Sequence, residues 1–271
     1  MSLDVFVEKT LGSFALKAEF SCGPGITALF GQSGSGKTSI VNMIAGLLRP
    51  ERGRIAVDGR TLFESATRTN VPPHRRRIGY VFQDARLFPH LTVRQNLLYG
   101  HYFSSRAGRY AVFDQVVELL GIAQLLDRRP AGLSGGEEQR VAIGRALLAS
   151  PRILLMDEPL ASLDDARKSE ILPYIERLRD QMGLPILYVS HAMDEVARLA
   201  DTMVLMANGA VAAVGSVEDL SARVDLATLA RRQEAGAVVH ARVASHDARY
   251  GLSELRFDGG RLRVPHVEEP V

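Results

Sequence analysis

The chain has 271 residues, 46% hydrophobic and 24% charged, enough for one large or two small globular units with a buried core. Its 33 basic and 31 acidic residues leave a formal charge of only +2, which gives no whole-chain case for a nucleic-acid partner. The lone Cys22 excludes an intrachain disulfide and suits a reducing compartment, and neither an ~18-residue apolar run nor a signal peptide is present, so a membrane role would pass through a partner.

Residues 3–7 alternate weakly and predict a strand. Ile26–Phe30 is a short apolar run, the pattern of a buried strand, and it ends at Gly31-Gln32-Ser33-Gly34-Ser35-Gly36-Lys37-Thr38. That octet is a full match to the phosphate-binding pattern G-x-x-x-x-G-K-[ST]. Its glycines let backbone N–H groups turn inward on a phosphate. Lys37 would reach the β- and γ-phosphates of a nucleotide, and the Thr38 hydroxyl would bind Mg²⁺. The bland alternative is a glycine-rich turn with an incidental lysine; the preceding strand and following helix argue against it. Ile40, Val41, Ile44 and Leu47 give residues 38–47 helical spacing, and Ile55–Arg60 predicts a strand running into a tight turn. His74-Arg75-Arg76-Arg77, the densest basic run, reads as a solvated loop. Ile78–Phe82 is another buried-strand candidate.

Beyond Phe82 the texture turns helical. Val93–Leu98 and Tyr110–Leu120 predict helices, the second stopped by Gly121. Strands resume at Ile153–Met156, Ile186–Val189 and Met203–Met206. Ala166–Met182 predicts a helix that Pro173 should kink or restart. A helix-rich block inside an α/β core suggests a helical subdomain in a sheet-based ATPase. Residues 222–233 predict a helix, after which Val238–Val243, Leu255–Phe257 and Leu262–Val264 are strand-like, with turn glycines at Gly259 and Gly260. This tail is too short for an independent β-domain of ordinary size and reads as the opening of a second one.

The strand Ile153–Met156 ends in Asp157 and Glu158, where an open α/β sheet places a nucleotide site. Asp157 suits Mg²⁺ coordination, and Glu158 is placed to polarise an attacking water as general base. Adjacent carboxylates can equally form a plain surface turn; the octet upstream favours the catalytic role. Between the two motifs stands Leu133-Ser134-Gly135-Gly136-Glu137.

The ordered set resembles the ATP-binding-cassette ATPases, over about residues 1–235. The resemblance implies an α/β fold: a phosphate-loop ATPase core with an inserted helical subdomain (about 84–150) and, from 236 to 271, the start of an oxyanion-binding β-barrel-type domain. It implies ATP and Mg²⁺ as ligands and a head-to-tail homodimer. In that dimer Ser134, Gly135, Gly136 and Glu137 face the ATP held by the other subunit, and Asp164 lies at the seam. Gln83 resembles the glutamine that senses Mg²⁺ and water, and His191 the switch histidine that contacts the γ-phosphate. A lone histidine is more often structural; its place after a strand, in motif order, favours the switch. The family usually stacks adenine on an upstream Tyr or Trp, whereas this chain has no Trp and offers Leu11 and Phe14.

A single cassette without a membrane segment resembles the importer branch, a peripheral subunit on the cytoplasmic face of the plasma membrane beneath separate permease subunits. Gly79 through Arg94, with Tyr188–His191 and Leu172-Pro173-Tyr174, resembles the molybdate importer ATPases, which work with an extracytoplasmic oxyanion-binding protein. Phe88, Pro89 and Leu91 would then receive a permease helix, or else be core. Sulfate, phosphate or sugar are alternative cargoes. A soluble cassette acting on DNA or the ribosome is the alternative of another class. Lys37 and Ser134 are 97 positions apart (134 − 37), which leaves no room for the coiled coil of the DNA-repair members.

Overall fold

Alternation sets the N-terminal strands. In β1 (Leu3–Leu11) Leu3, Val5 and Val7 are buried while Asp4 and Phe6 face outward, and β2 (Phe14–Cys22) turns Leu16, Ala18, Phe20 and Cys22 inward. The computed structural model describes residues 2–103, 109–223, 241–247 and 250–267, and pairs β1 with β2 antiparallel, Leu11 opposite Phe14. The strand β3 (Ile26–Gly31) is buried at every position. Three further strands, β4 (Arg52–Val57), β5 (Arg60–Glu64) and β6 (Thr69–Asn70), extend the antiparallel side beyond β1.

The other half of the sheet is parallel. It comprises β7 (Ile78–Val81), β8 (Ile153–Asp157), β9 (Ile186–Ser190), β3 and β10 (Thr202–Ala207), in the order β10-β3-β9-β8-β7. Like β3, strands β8 and β9 are buried throughout, as a sheet covered on both faces requires. The last strand, β11 (Ala210–Ser216), turns back on β10 and meets β2 at Ala210–Lys17, joining both halves into one 11-stranded sheet. Since β3, β9, β8 and β7 point the same way, the residues just past their C-terminal ends reach one edge. Those residues are the glycine octet, His191, Asp157–Glu158 and Gln83.

Behind the octet, α1 (Lys37–Ala45) buries Ile40, Val41, Met43 and Ile44. It stops at Gly46, whose φ of 84° lets the Leu47 N–H return to the Asn42 carbonyl. Leu47, expected inside the helix, is therefore outside it and exposed. The segment between β7 and β8 holds α2 (Val93–Phe103), α3 (Phe113–Leu119) and α4 (Gly135–Leu148), with no strand among its described residues. The second of these starts later than its periodicity predicts, because the Tyr110 and Ala111 N–H groups bond to Ser150 Oγ instead. Gly121 does end it: the Ile122 and Gly121 N–H groups return to Val117 and Glu118 carbonyls.

A long helix, α5 (Asp165–Met182), runs through Pro173 without the expected restart. A missing N–H and a ring clash cost ~3 kcal/mol. Ile171, Leu172, Ile175 and Leu178 are buried on the same helix, each worth roughly 1.5–3 kcal/mol, so packing wins. Two short helices come next, α6 (Met193–Leu199) and α7 (Val217–Ala222). Residues 224–240 are outside the described set, and with them most of the helix predicted over 222–233 and the first half of the strand predicted over 238–243. Beyond them β12 (Arg242–Asp247), β13 (Leu252–Phe257) and β14 (Gly260–Pro265) form a separate three-stranded antiparallel sheet with β13 in the middle.

The basic run is not a solvated loop throughout. Arg76 is 1% exposed, and its guanidinium donates to the carbonyls of Met43, Ile44 and Val71 and to Asn70 Oδ1 at 2.7–2.9 Å. It thus places a positive charge on the C-terminal carbonyls of α1, where the helix dipole favours one. Gly46 makes room: a Cβ there would lie 2.6 Å from Arg76 Nε.

Candidate active site

The octet wraps around its own lysine. Lys37 is 4% exposed, and its ammonium donates to the carbonyls of Gly31 and Gln32, both at 2.8 Å. Burial pushes the Lys37 pKa down, while the Glu158 and Asp157 carboxylates oppose that shift. Gly36 caps α1 with φ 101°, and a Cβ there would meet Leu16 Cδ1 at 2.6 Å, so only glycine lets the loop lie on β2. Ser35 Oγ is buried with no hydrogen-bond partner among the described residues. An orphaned hydroxyl inside a glycine loop fits a phosphate oxygen.

The acidic strand end meets the octet directly. Thr38 Oγ1 donates to Asp157 Oδ1 at 3.2 Å, and the Tyr80 hydroxyl lies 3.1 Å from Asp157 Oδ2 and from Asn42 Oδ1. A hydroxyl and a carboxylate so close are hard oxygen donors of the kind Mg²⁺ takes. Burial raises the Asp157 pKa, offset in part by the hydrogen bonds from Tyr80 and Thr38. Tyr80 was not legible as a site residue, because in sequence it is one apolar position of a buried strand.

Glu158 has φ 47°, an uncommon conformation for a residue with a Cβ, and its N–H is held by the Val189 carbonyl at 3.0 Å. Its carboxylate is thereby aimed back over the site. Oε1 lies 3.9 Å from Lys37 Nζ and Oε2 3.3 Å from His191 Nδ1. Octet, Asp157, Glu158 and His191 therefore form one cluster, in which His191 is more exposed than the Glu158 it approaches. Gln83, just past β7, is exposed, and the hydrogen bonds of the Asp157 carboxylate go to Thr38 and Tyr80 instead. It shares the sheet edge with the cluster, with no hydrogen bond or ion pair to it among the described residues.

The Ser134–Glu137 run lies apart. Ser134 caps α4, accepting the Glu137 N–H, while Glu137 Oε2 accepts the Ser134 N–H at 2.8 Å. These backbone bonds hold the Glu137 carboxyl below its usual range. Asp164 plays the same local part for α5, accepting the Arg167 N–H at 2.9 Å. The rest of α4 grips the segment after β7: Gln139 donates to the Phe82 carbonyl, and Arg145 to those of Ala85 and Arg86. Buried Asn96 of α2 bonds the N–H and carbonyl of Phe88 and the carbonyls of Leu91 and Thr92. Phe88 packs on Tyr99, with ring centroids 4.3 Å apart.

The Leu11–Phe14 hairpin end comes to the rim of the octet. Phe14 is half-buried, and a Cβ on Gly36 would lie 3.4 Å from its ring.

A strand-borne glycine loop, a carboxylate pair on the same sheet edge and a capped Ser-Gly-Gly-Glu helix define a nucleotide-binding cassette. The chain belongs to the ABC transporter family, which matches residues 17–161. The molybdenum import ATP-binding protein ModC of Paramagnetospirillum magneticum is 60% identical over 269 residues, covering 99% of this chain and 74% of that protein. ModC of Rhodospirillum rubrum is 58% identical, covering 99% and 73%. An ATP-binding cassette solved as a dimer in a post-hydrolysis state, bound to ADP and Pi, superposes with a TM-score of 0.65 at 25% identity, covering 80% of this chain and 99% of that one. The family implies ATP binding. No helix among the described residues is long and apolar enough to cross a membrane.

Proposed function

We propose that this chain is the ATP-hydrolysing subunit of an importer that takes up molybdate through separate permease subunits. The observation that carries the catalytic half is the convergence of Lys37, Thr38, Asp157, Glu158 and His191, with Thr38 and Asp157 3.2 Å apart and Glu158 and His191 3.3 Å apart. The observation that carries the cargo is the 60% identity, across nearly the whole chain, to a protein named for molybdenum import.

In this reading residues 31–38 cradle the phosphates: Lys37 leaves the Gly31 and Gln32 carbonyls for the β- and γ-phosphates, and Ser35 gains a partner. Mg²⁺, held by Thr38, Asp157 and Gln83, would neutralise charge building between the β- and γ-phosphates. Glu158 takes the proton of the attacking water, and His191 orients Glu158 and reaches the γ-phosphate. Ser134, Gly135, Gly136 and Glu137 cap the ATP of a second copy, with Asp164 at the seam between the two. Phe14 and Leu11 offer adenine an apolar rim. Closure and reopening of the dimer would switch the permease between its two facing states. The subunit would sit peripherally on the cytoplasmic face of the inner membrane, its residues 88–91 against the permease, with an extracytoplasmic protein delivering the oxyanion. We read residues 1–235 as the ATPase domain, about 84–150 as its helical subdomain, and 236–271 as the opening strands of a β-barrel-type oxyanion-binding domain.

Uptake measurements test the whole reading. Cells whose native subunit is replaced by the Glu158→Gln variant should lose high-affinity molybdate uptake while sulfate, phosphate and sugar uptake stay normal. Loss of one of those other uptakes with molybdate uptake intact would change the cargo. No uptake defect at all would move the chain out of transport.

A further inference from the structure

Beneath the His191 loop lies a buried polar cluster with no part in the proposed mechanism. Tyr188 and Ser190 alternate onto one face of β9, and both hydroxyls donate to Glu195 Oε2, at 2.9 and 2.8 Å. Glu195, on α6, is 3% exposed. Its other oxygen pairs with Lys168 Nζ at 3.1 Å. Lys168 lies in the first turn of α5, where its N–H bonds to the carbonyl of Asp164, the cap of that helix. Ser190 Oγ also accepts the Ala192 N–H at 3.0 Å. The backbone is therefore pinned on both sides of His191, and the pin rests on Glu195.

A buried carboxylate is an expensive way to fill a core position. Its desolvation is offset only when every oxygen is bonded, and an apolar side chain of similar volume would serve stability as well. What an apolar residue could not do is aim the Ser190 hydroxyl. Without the carboxylate, that hydroxyl is free to rotate away from the Ala192 N–H, and the turn carrying His191 loosens. The His191 side chain itself is more than half exposed, and it approaches Glu158 at 3.3 Å.

We infer that Glu195 is a positioning residue for ATP hydrolysis: through Ser190 it fixes the turn that carries His191, and through Lys168 it ties that turn to the Asp164 end of α5. The cluster thus joins the histidine beside the chain's own nucleotide to the helix start assigned to the dimer seam. The inference rests on the switch role proposed for His191.

Four single variants of the full chain test it, each measured for kcat, ATP dissociation constant and thermal midpoint. Glu195→Gln and Ser190→Ala should each lower kcat about tenfold or more, with ATP affinity changed less than about twofold. Ser190→Thr, which keeps the hydroxyl, should restore most of the rate. Tyr188→Phe removes the other hydroxyl from the same carboxylate but touches nothing in the His191 turn. It should cost as much thermal stability as Ser190→Ala while leaving kcat within about twofold of the parent. If kcat followed thermal stability across all four variants, or if Ser190→Ala turned over at the parent rate, the cluster would be structural only. His191→Ala separates this from a failure of the underlying reading. Undiminished turnover in His191→Ala removes the switch role itself, whereas a loss there with a normal Glu195→Gln removes only the positioning role.

Discussion

Two glycine-rich helix starts in this chain have opposite surroundings. At the first, Gly34 to Lys37, polar groups from the ends of β3, β8 and β9 crowd together: Thr38 meets Asp157, and Lys37 and His191 both approach Glu158. At the second, Ser134 to Glu137, the cap and its glutamate bond each other, and Ser134 is exposed. Under the proposed function the first is a site that one chain assembles, and the second a surface that one chain only prepares. Position on the sheet makes the difference, since parallel strands deliver the first to a crowded edge while the second starts a helix of the inserted block. Under the proposed function the two ends belong to the same ATP only when two copies meet.

The comparison breaks most visibly at Glu158. Glu158→Gln keeps the shape and loses the proton acceptor, so hydrolysis should fall about a thousandfold, on the order of 4 kcal/mol in barrier, with ATP still bound. Phosphate release and ATP binding measured on the same sample check this; near-normal turnover would remove Glu158 as base. Arg76→Met probes what holds the first helix from behind. It strips donors from the buried carbonyls of Met43 and Ile44 and should cost about 3 kcal/mol in urea unfolding. A loss below ~0.5 kcal/mol would show that solvent replaces the guanidinium.

A sharper cut separates the two starts. Lys37→Ala should weaken ATP binding to the isolated chain about a hundredfold, because the phosphates lose a charge and a donor. Ser134→Arg should leave that binding unchanged. The smallest effect lies at the rim: Phe14→Ala should weaken ATP binding by about 1 kcal/mol if the ring stacks on adenine. An unchanged affinity would leave apolar contact from Leu11.

Much of the crowded site was legible because its residues come directly after strands whose apolar runs are unbroken. Ile26–Phe30 and Ile153–Met156 announce buried parallel strands, and the residues at their C-terminal ends must reach the same edge. The capping box that Ser134 and Glu137 close was found only in the fold; in sequence the run stood out solely by its resemblance to the family motif. Tyr80, Arg76 and Glu195 were not legible. Each is a polar residue whose partners stand far off in sequence or on a neighbouring element: Tyr80 meets Asp157, 77 positions on, and Arg76 meets Met43, 33 positions back. Composition made Arg76 part of a charge run, and only the fold turned it inward. At Pro173 the restart allowed for in the sequence did not occur, since local backbone preference said nothing of the four apolar side chains that hold α5 to the core. β2 was missed for a similar reason: its Leu-Lys-Ala-Glu-Phe alternation is short of strong strand formers, and its pairing with β1 supplies the stability.

The central claim is that an ATP bound by one copy is completed by Ser134 of another. Light scattering on Glu158→Gln in saturating ATP and Mg²⁺, with and without Ser134→Arg, tests it most directly. The account predicts twice the chain's mass for Glu158→Gln, and a single chain, still carrying ATP, for the double variant. A monomer in the first case, or an unaltered dimer in the second, would contradict it.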